Sequence, residues 1–187
     1  MRKIKSLLSL AMVIVMLFSL VSCEKKVEEN EAKVLVKNLV SESCKLNEIL
    51  YGKGMEYEKS EDGKYSTIYS RVKDDAPFKT RKELEKEIKE VFTAAYANSL
   101  VSHAFTLTTG LFGENSYPRY QEGSDKVLTV MRDYQAREIT QYNFDTIKIE
   151  KCRKNKIVAT ILSTENELVE IYLIREVNGW RLDSATV

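Results

Sequence analysis

The sequence predicts an α+β domain, with two to three N-terminal helices packed on a curved antiparallel sheet of four to six strands. Three observations carry this expectation. Apolar residues recur at steps of three and four from Ala32 through the first half of the chain. From about Lys126 the period changes to two. The strands expected there are joined by short turn signals, "RKNK", "TENE" and "VNG", so neighbouring strands form an antiparallel meander.

The elements follow in order. Ala32, Val36, Leu39, Val40, Leu46, Ile49 and Leu50 share one broad helical face. "YGKG", Tyr51 to Gly54, ends that helix, with glycine at a C′-like position. "KYSTIYSRV", Lys64 to Val72, reads as a short strand. A second helix opens at Thr80, where "TRKE" makes a capping box with Glu83 reaching back to the N-cap. Leu84, Ile88, Val91, Phe92, Ala95 and Tyr96 follow at helical spacing, and "NSLVSHAFTLTTG" continues as a shorter third helix to about Thr108. "KVLTVMRDY", "FDTIKIEKC", "KIVATILS", "LVEIYLIRE" and "WRLDSA" then read as strands.

Ahead of the domain stands a leader. Arg2, Lys3 and Lys5 precede the apolar run Leu7 to Val21, and no acidic residue occurs before Cys23. A helix of that run is about 22 Å long, short of the roughly 30 Å hydrocarbon core, which fits a cleaved signal better than a spanning anchor. Leu20-Val21-Ser22-Cys23 resembles the lipobox of bacterial lipoproteins. That resemblance implies cleavage before Cys23, diacylglyceryl attachment to its sulfur and often an acyl chain such as palmitate on its amine. The competing reading is an uncleaved signal anchor flanked by Lys25 and Lys26. The expected organisation is a signal peptide over 1–22, a lipidated cysteine and short polar tether over 23–31, and one domain over 32–187. The expected location is the cell membrane, with the domain on the extracytoplasmic side.

Removing the leader changes the charge. Its three cations belong to the 29 basic side chains, and all 28 acidic ones follow, so the chain from Cys23 carries 26 against 28, a balance of −2. Interspersed signs near neutrality leave no electrostatic footprint for nucleic acid. The 165 residues from Cys23 suffice for one domain with a real core.

Few residues point to chemistry. His103 is the only histidine. As a general base it would need a carboxylate such as Asp133 or Asp145; otherwise it is a half-buried helix residue. Asp74 and Asp75 precede Pro77 and read as a turn before a helix rather than a cation site. Cys44, Cys152 and one histidine do not fill a four-ligand zinc site, so no metal or other cofactor is expected. Cys152 alternates out of phase with Ile147 and Ile149, which sets it away from Cys44 unless the strand bulges; a disulfide stays open on this reading. No catalytic residue is assigned. Candidate ligand- or partner-binding residues are Leu111, Phe112, Tyr117 and Tyr120, in the aromatic stretch Gly110 to Gly123, together with Tyr96, His103 and Trp180. Tyr96, Tyr134, Tyr142, Phe144 and Trp180 would line a concave pocket or form core.

Helices first, a meander next, and the ending "IREVNGWRLDS" resemble the NTF2-like cone fold, and "LNEILYGKG" with the helix from Thr80 is similar to small NTF2-like lipoproteins of Gram-positive bacteria. The resemblance implies a cone with a pocket and leaves the activity open, because the fold hosts unrelated functions. Two functions are expected. One is a lipid-anchored envelope module that binds a small ligand or an envelope protein, without catalysis. The other is an envelope enzyme using the cone pocket, or an inhibitor or accessory subunit of a cell-wall hydrolase.

Overall fold

The computed structural model describes residues 27–58, 68–106, 108–109 and 115–186. The leader, Cys23, Leu111 and Phe112, and the first part of the strand expected from Lys64, lie outside the described residues. Among the described residues no helix is long and apolar enough to cross a membrane.

Among the described residues the architecture is α+β, with three helices and antiparallel sheets. Helix α1 spans Glu29–Leu50 and is the longest element among the described residues. Its buried residues, Ala32, Val36, Val40, Ser43, Leu46, Asn47 and Leu50, repeat at three- and four-residue steps, which is the spacing read from the sequence. Its start differs. The polar segment taken as a tether to Glu31 is already helical from Glu29, and Val27 is buried in the core. Glu29 and Glu31 lie in the first turn, where the helix dipole favours anions.

Strand β1 (Tyr69–Arg71) is followed by helix α2 (Arg81–Val91). The capping box is present: Thr80 Oγ1 accepts from Glu83 N at 3.2 Å, and Glu83 Oε2 accepts from Thr80 N at 3.0 Å. The helix does not run through Tyr96 as one piece. Phe92 leaves it to bridge Leu182, Thr93 N donates to Leu182 O, and Thr93 Oγ1 donates to Asp183. Tertiary partners thus take up Phe92 and Thr93, and helix α3 begins afresh at Ala94–Phe105. Glu176 accepts from the first backbone N–H of α3, so the N-terminus of that helix is satisfied from a distant strand.

The strands form more than one sheet. Strands β2 (Thr108–Thr109) and β3 (Asn115–Ser116) pair as a two-stranded ribbon. Strands β4 (Tyr120–Glu122) and β5 (Leu128–Met131) join β1 in the order β1-β5-β4. Strands β6 (Tyr142–Cys152), β7 (Lys156–Ser163), β8 (Leu168–Glu176) and β9 (Gly179–Leu182) form the expected meander in sequence order. The strand expected at Lys126 to Tyr134 therefore belongs to the smaller sheet, because its partners are β1 and β4.

The inward faces of β7 and β8 meet across strands, Ile157 opposite Leu173 and Ala159 opposite Ile171, all fully buried. They join Val36, Val40, Leu46 and Leu50 of α1 in one core. Side chains of α1 thus fill the space where an open pocket was expected. Burying each such aliphatic side chain contributes about 1.5–3 kcal/mol.

Strand β6 runs antiparallel to α1. Cys152 at its end donates to Val27 O at the start of α1, and Cys44 near the end of α1 contacts Thr140 O just before β6. Both cysteines are free. The register of β6 shifts between Ile149 and Lys151, and this bulge lets Cys152 pack against the same core as Ile147 and Ile149. The phase argument thus placed Cys152 on the wrong face. Distance prevents the bridge instead: Glu29 and Cys44 lie about 22 Å apart along α1, far beyond disulfide reach.

Candidate binding site

The C-terminal end of α1 gathers rings and cations from four segments. Tyr51 caps the helix, and its ring lies 5.1 Å from that of His103 near the end of α3. Arg137 donates its backbone N–H to Tyr51 O at 2.8 Å and sets its guanidinium 5.8 Å from the Tyr51 ring. Arg119, just ahead of β4, is 3 % exposed. Its guanidinium carbon is 3.8 Å from the Tyr134 ring centre, and Nη2 donates to Gly52 O at 2.9 Å. Among the described residues its Nε has no hydrogen-bond partner. The "YGKG" turn is what admits this side chain: Gly54 has φ +82°, and a Cβ there would fall 2.1 Å from Arg119 Nη2.

Burial, then the neighbouring phenols Tyr96 and Tyr134, push the Tyr51 hydroxyl up to about 12, partly offset by Arg137. Burial likewise raises Tyr96 and Tyr120. Burial, and next the Arg137 charge, hold His103 below the ordinary imidazole range. At neutral pH the cluster therefore offers a neutral imidazole, half-buried phenols and the exposed Arg137 guanidinium, while Tyr51 and Arg119 are buried and hold the turn together. That combination suits cation–π contact and hydrogen bonding to an anionic or carbonyl-bearing group.

The expected site residues separate into several places. Tyr96 and His103 both lie on α3 beside Tyr51, and Tyr96 packs on Phe92 at 5.3 Å between ring centres. His103 packs its ring on Tyr51, and among the described residues no hydrogen bond or ion pair joins it to Asp133 or Asp145. Asp133 and Asp145 are exposed. Tyr120 is fully buried; its hydroxyl donates to Ile49 O at 2.8 Å and accepts from Met55 N at 3.3 Å. It fastens β4 to the end of α1 and is unavailable to a ligand. Tyr117, three residues earlier, is 50 % exposed. Trp180 sits on β9 opposite Arg175, at the other end of the meander. Tyr142 is buried, and Phe144 lies under Lys37 of α1 at 6.0 Å, so these rings do not combine with Trp180 into a pocket. Asp74 is exposed in a turn, 3.8 Å from Lys79. Among the described residues no group of His, Cys, Asp and Glu could hold a metal ion.

A cleft of about 800 Å³ lies instead between α2 and β9, lined by Lys82, Glu85, Lys86, Lys89, Asn178 and Arg181. Its chemistry is already committed. Arg181 donates to Lys89 O, Trp180 O and Asn178 O, and Glu85 pairs with Arg81 and Lys89. Arg181 thereby caps α2 and braces the β8–β9 turn, and the cleft is a solvated groove.

Sequence reasoning missed Arg119 and Arg137, and read Tyr51 only as part of a helix stop. A buried arginine next to a proline and a tyrosine carries no local signal of its own. Its partners, Gly52 and Tyr134, lie far away in the chain. No protein-family model matches the chain, and no curated protein matches it.

Proposed function

We propose that the chain is a lipid-anchored binding module of the bacterial cell envelope. It is held at the membrane through Cys23 and meets an envelope partner or small ligand through the Tyr51 cluster. The cone likeness of the meander and helices belongs to the same proposal. The observation that carries it is the polarity of α1. The helix starts six residues after Cys23 and ends at Tyr51, about 33 Å further on, where the exposed Arg137 and the half-buried His103, Tyr96 and Tyr134 converge around the buried Tyr51. Tyrosine and arginine dominate the hot spots of binding surfaces, and the packed core leaves binding to the surface.

The test is a photo-crosslinking residue placed at Tyr117 or Arg137 of the full-length protein in intact cells. A discrete adduct is expected from both sites, and none from Val34, which is 57 % exposed on α1. The same adducts from all three positions, or none from any, contradict the reading.

One observation favours the alternative of an envelope enzyme. A neutral imidazole stands beside a guanidinium, an arrangement that can accept a proton from a bound substrate. His103→Gln separates the two, since an enzyme loses turnover of its substrate outright, whereas an interaction module keeps the Tyr117 adduct at a yield that is at most reduced.

A further inference from the structure

We propose that the β6–β7 hairpin tip docks the domain on the anionic phospholipid headgroups of the membrane that carries its lipid anchor. This rests on the lipoprotein reading of Cys23 and adds a face, an orientation and a lipid class to it.

The hairpin reads "KCRKNK", Lys151 to Lys156: four basic side chains within six residues and no acidic one. Lys151, Arg153 and Lys154 are exposed. The chain from Cys23 balances at −2, so this tip is a local departure from the rest of the surface. Its position gives the charge a meaning. Cys152, at the centre of the run, donates its thiol to Val27 O at 3.3 Å. Val27 is four residues from Cys23, and four residues of backbone reach at most about 14 Å. The basic tip is therefore tied to the end of the domain at which acyl chains would enter the bilayer.

The neighbouring hairpin ends on the same side. Arg175 N donates to Asn155 O at 2.9 Å, and Val177, in the β8–β9 turn, is fully exposed. Acidic groups at this end are mostly engaged: Glu29 pairs with Lys33, Glu150 with Lys148, and Glu176 holds the N-terminus of α3. Glu28 and Glu29 at the start of α1 and Glu150 on β6 border Lys151 and Cys152, so the excess of positive charge at the tip is carried by Arg153, Lys154 and Lys156, beyond that acidic edge. A polybasic patch beside an acyl anchor is a two-signal arrangement, each basic residue at an anionic surface strengthening association about fivefold. Docking here would point the Tyr51 cluster away from the bilayer.

The experiment is amide hydrogen exchange on the full lipoprotein in vesicles of pure phosphatidylcholine and in vesicles containing phosphatidylglycerol. The mass of the Cys23 peptide is read from the same sample. With an acylated Cys23, residues 153–156 are expected to exchange at least about fivefold more slowly on the anionic vesicles. The distal turn, residues 164–167, is expected to be indifferent. The difference is expected to vanish at 1 M salt, where the Debye length shrinks to about 3 Å, and in Lys151→Glu with Arg153→Glu. An acylated protein whose hairpin exchanges equally on both vesicles overturns the docking alone. So does equal slowing of both turns, or slowing that survives salt or charge reversal. An unacylated Cys23 overturns the anchor reading and the docking with it.

Discussion

The guanidinium carbon of Arg119 lies 3.8 Å from the ring centre of Tyr134, and both side chains close over the turn that ends α1. The pair supports that turn without a carboxylate. A desolvated cation–π contact of this kind contributes about 1–2 kcal/mol. A double-mutant cycle with Arg119→Met and Tyr134→Leu in urea should return a coupling of about that size. Additive losses would mean that the ring and the cation act separately. Gly54→Ala should also destabilise, by roughly 1 kcal/mol or more, because φ is +82° and the new Cβ meets Arg119.

The C-terminus is latched to α1 by a buried polar chain. Asn47 Nδ2 donates to Thr186 O and to Thr186 Oγ1, both at 2.9 Å, and Thr186 Oγ1 donates to Ser43 at 2.9 Å. Asn47→Ala leaves two buried acceptors unpaired and should cost about 1–3 kcal/mol in chemical denaturation at unchanged m-value. A loss under about 0.5 kcal/mol would show that the latch is incidental.

At α2, Thr80→Ala removes the N-cap acceptor and should cost about 1 kcal/mol. Glu83 adds a pH dependence. Backbone hydrogen bonds from Lys79 and Thr80 hold its carboxyl below the usual value. A depressed acid stabilises the fold above its unfolded value, about 4.3, and that contribution is lost as pH falls through the lower folded value. Glu83→Gln should flatten the stability profile in that acid window, and an unchanged profile would discount the box.

His103 works with the opposite charge type and the same direction. Its folded value is lowered, first by burial and next by Arg137. The unfolded chain then binds the proton more readily, so stability is full above about 6.5 and declines as pH falls toward the folded value. As the only histidine, it gives a single imidazole signal in NMR. That signal should titrate below about 6.5 and move upward in Arg137→Gln. A titration above that value would mean that His103 has an acidic neighbour after all.

How far the sequence was legible depends on how local each determinant is. Strands β7 and β8 start and stop where alternation and the "RKNK", "TENE" and "VNG" turns place them. The Thr80–Glu83 box is a four-residue signal and was readable in full. Helix α1 was read three residues short, because Glu29 to Glu31 are polar on every side while dipole and packing carry the helix through them. The break at Phe92 and Thr93 depends on Leu182 and Asp183, nearly ninety residues away. Strand β1 falls within the short strand read from Lys64 to Val72, whereas β4 is three residues long and declares itself only through β5. The Tyr51 cluster is the extreme case. Four segments contribute one or two residues each, so no window of sequence contains it.

The central claim is that this domain sits on a membrane through Cys23, and the mass of the mature N-terminal peptide tests it most directly. Protein taken from cell membranes should begin at Cys23 and carry a diacylglyceryl group, and globomycin should leave the uncleaved precursor in its place. A chain that still begins at Met1, or a mature chain with an unmodified Cys23, would contradict the account.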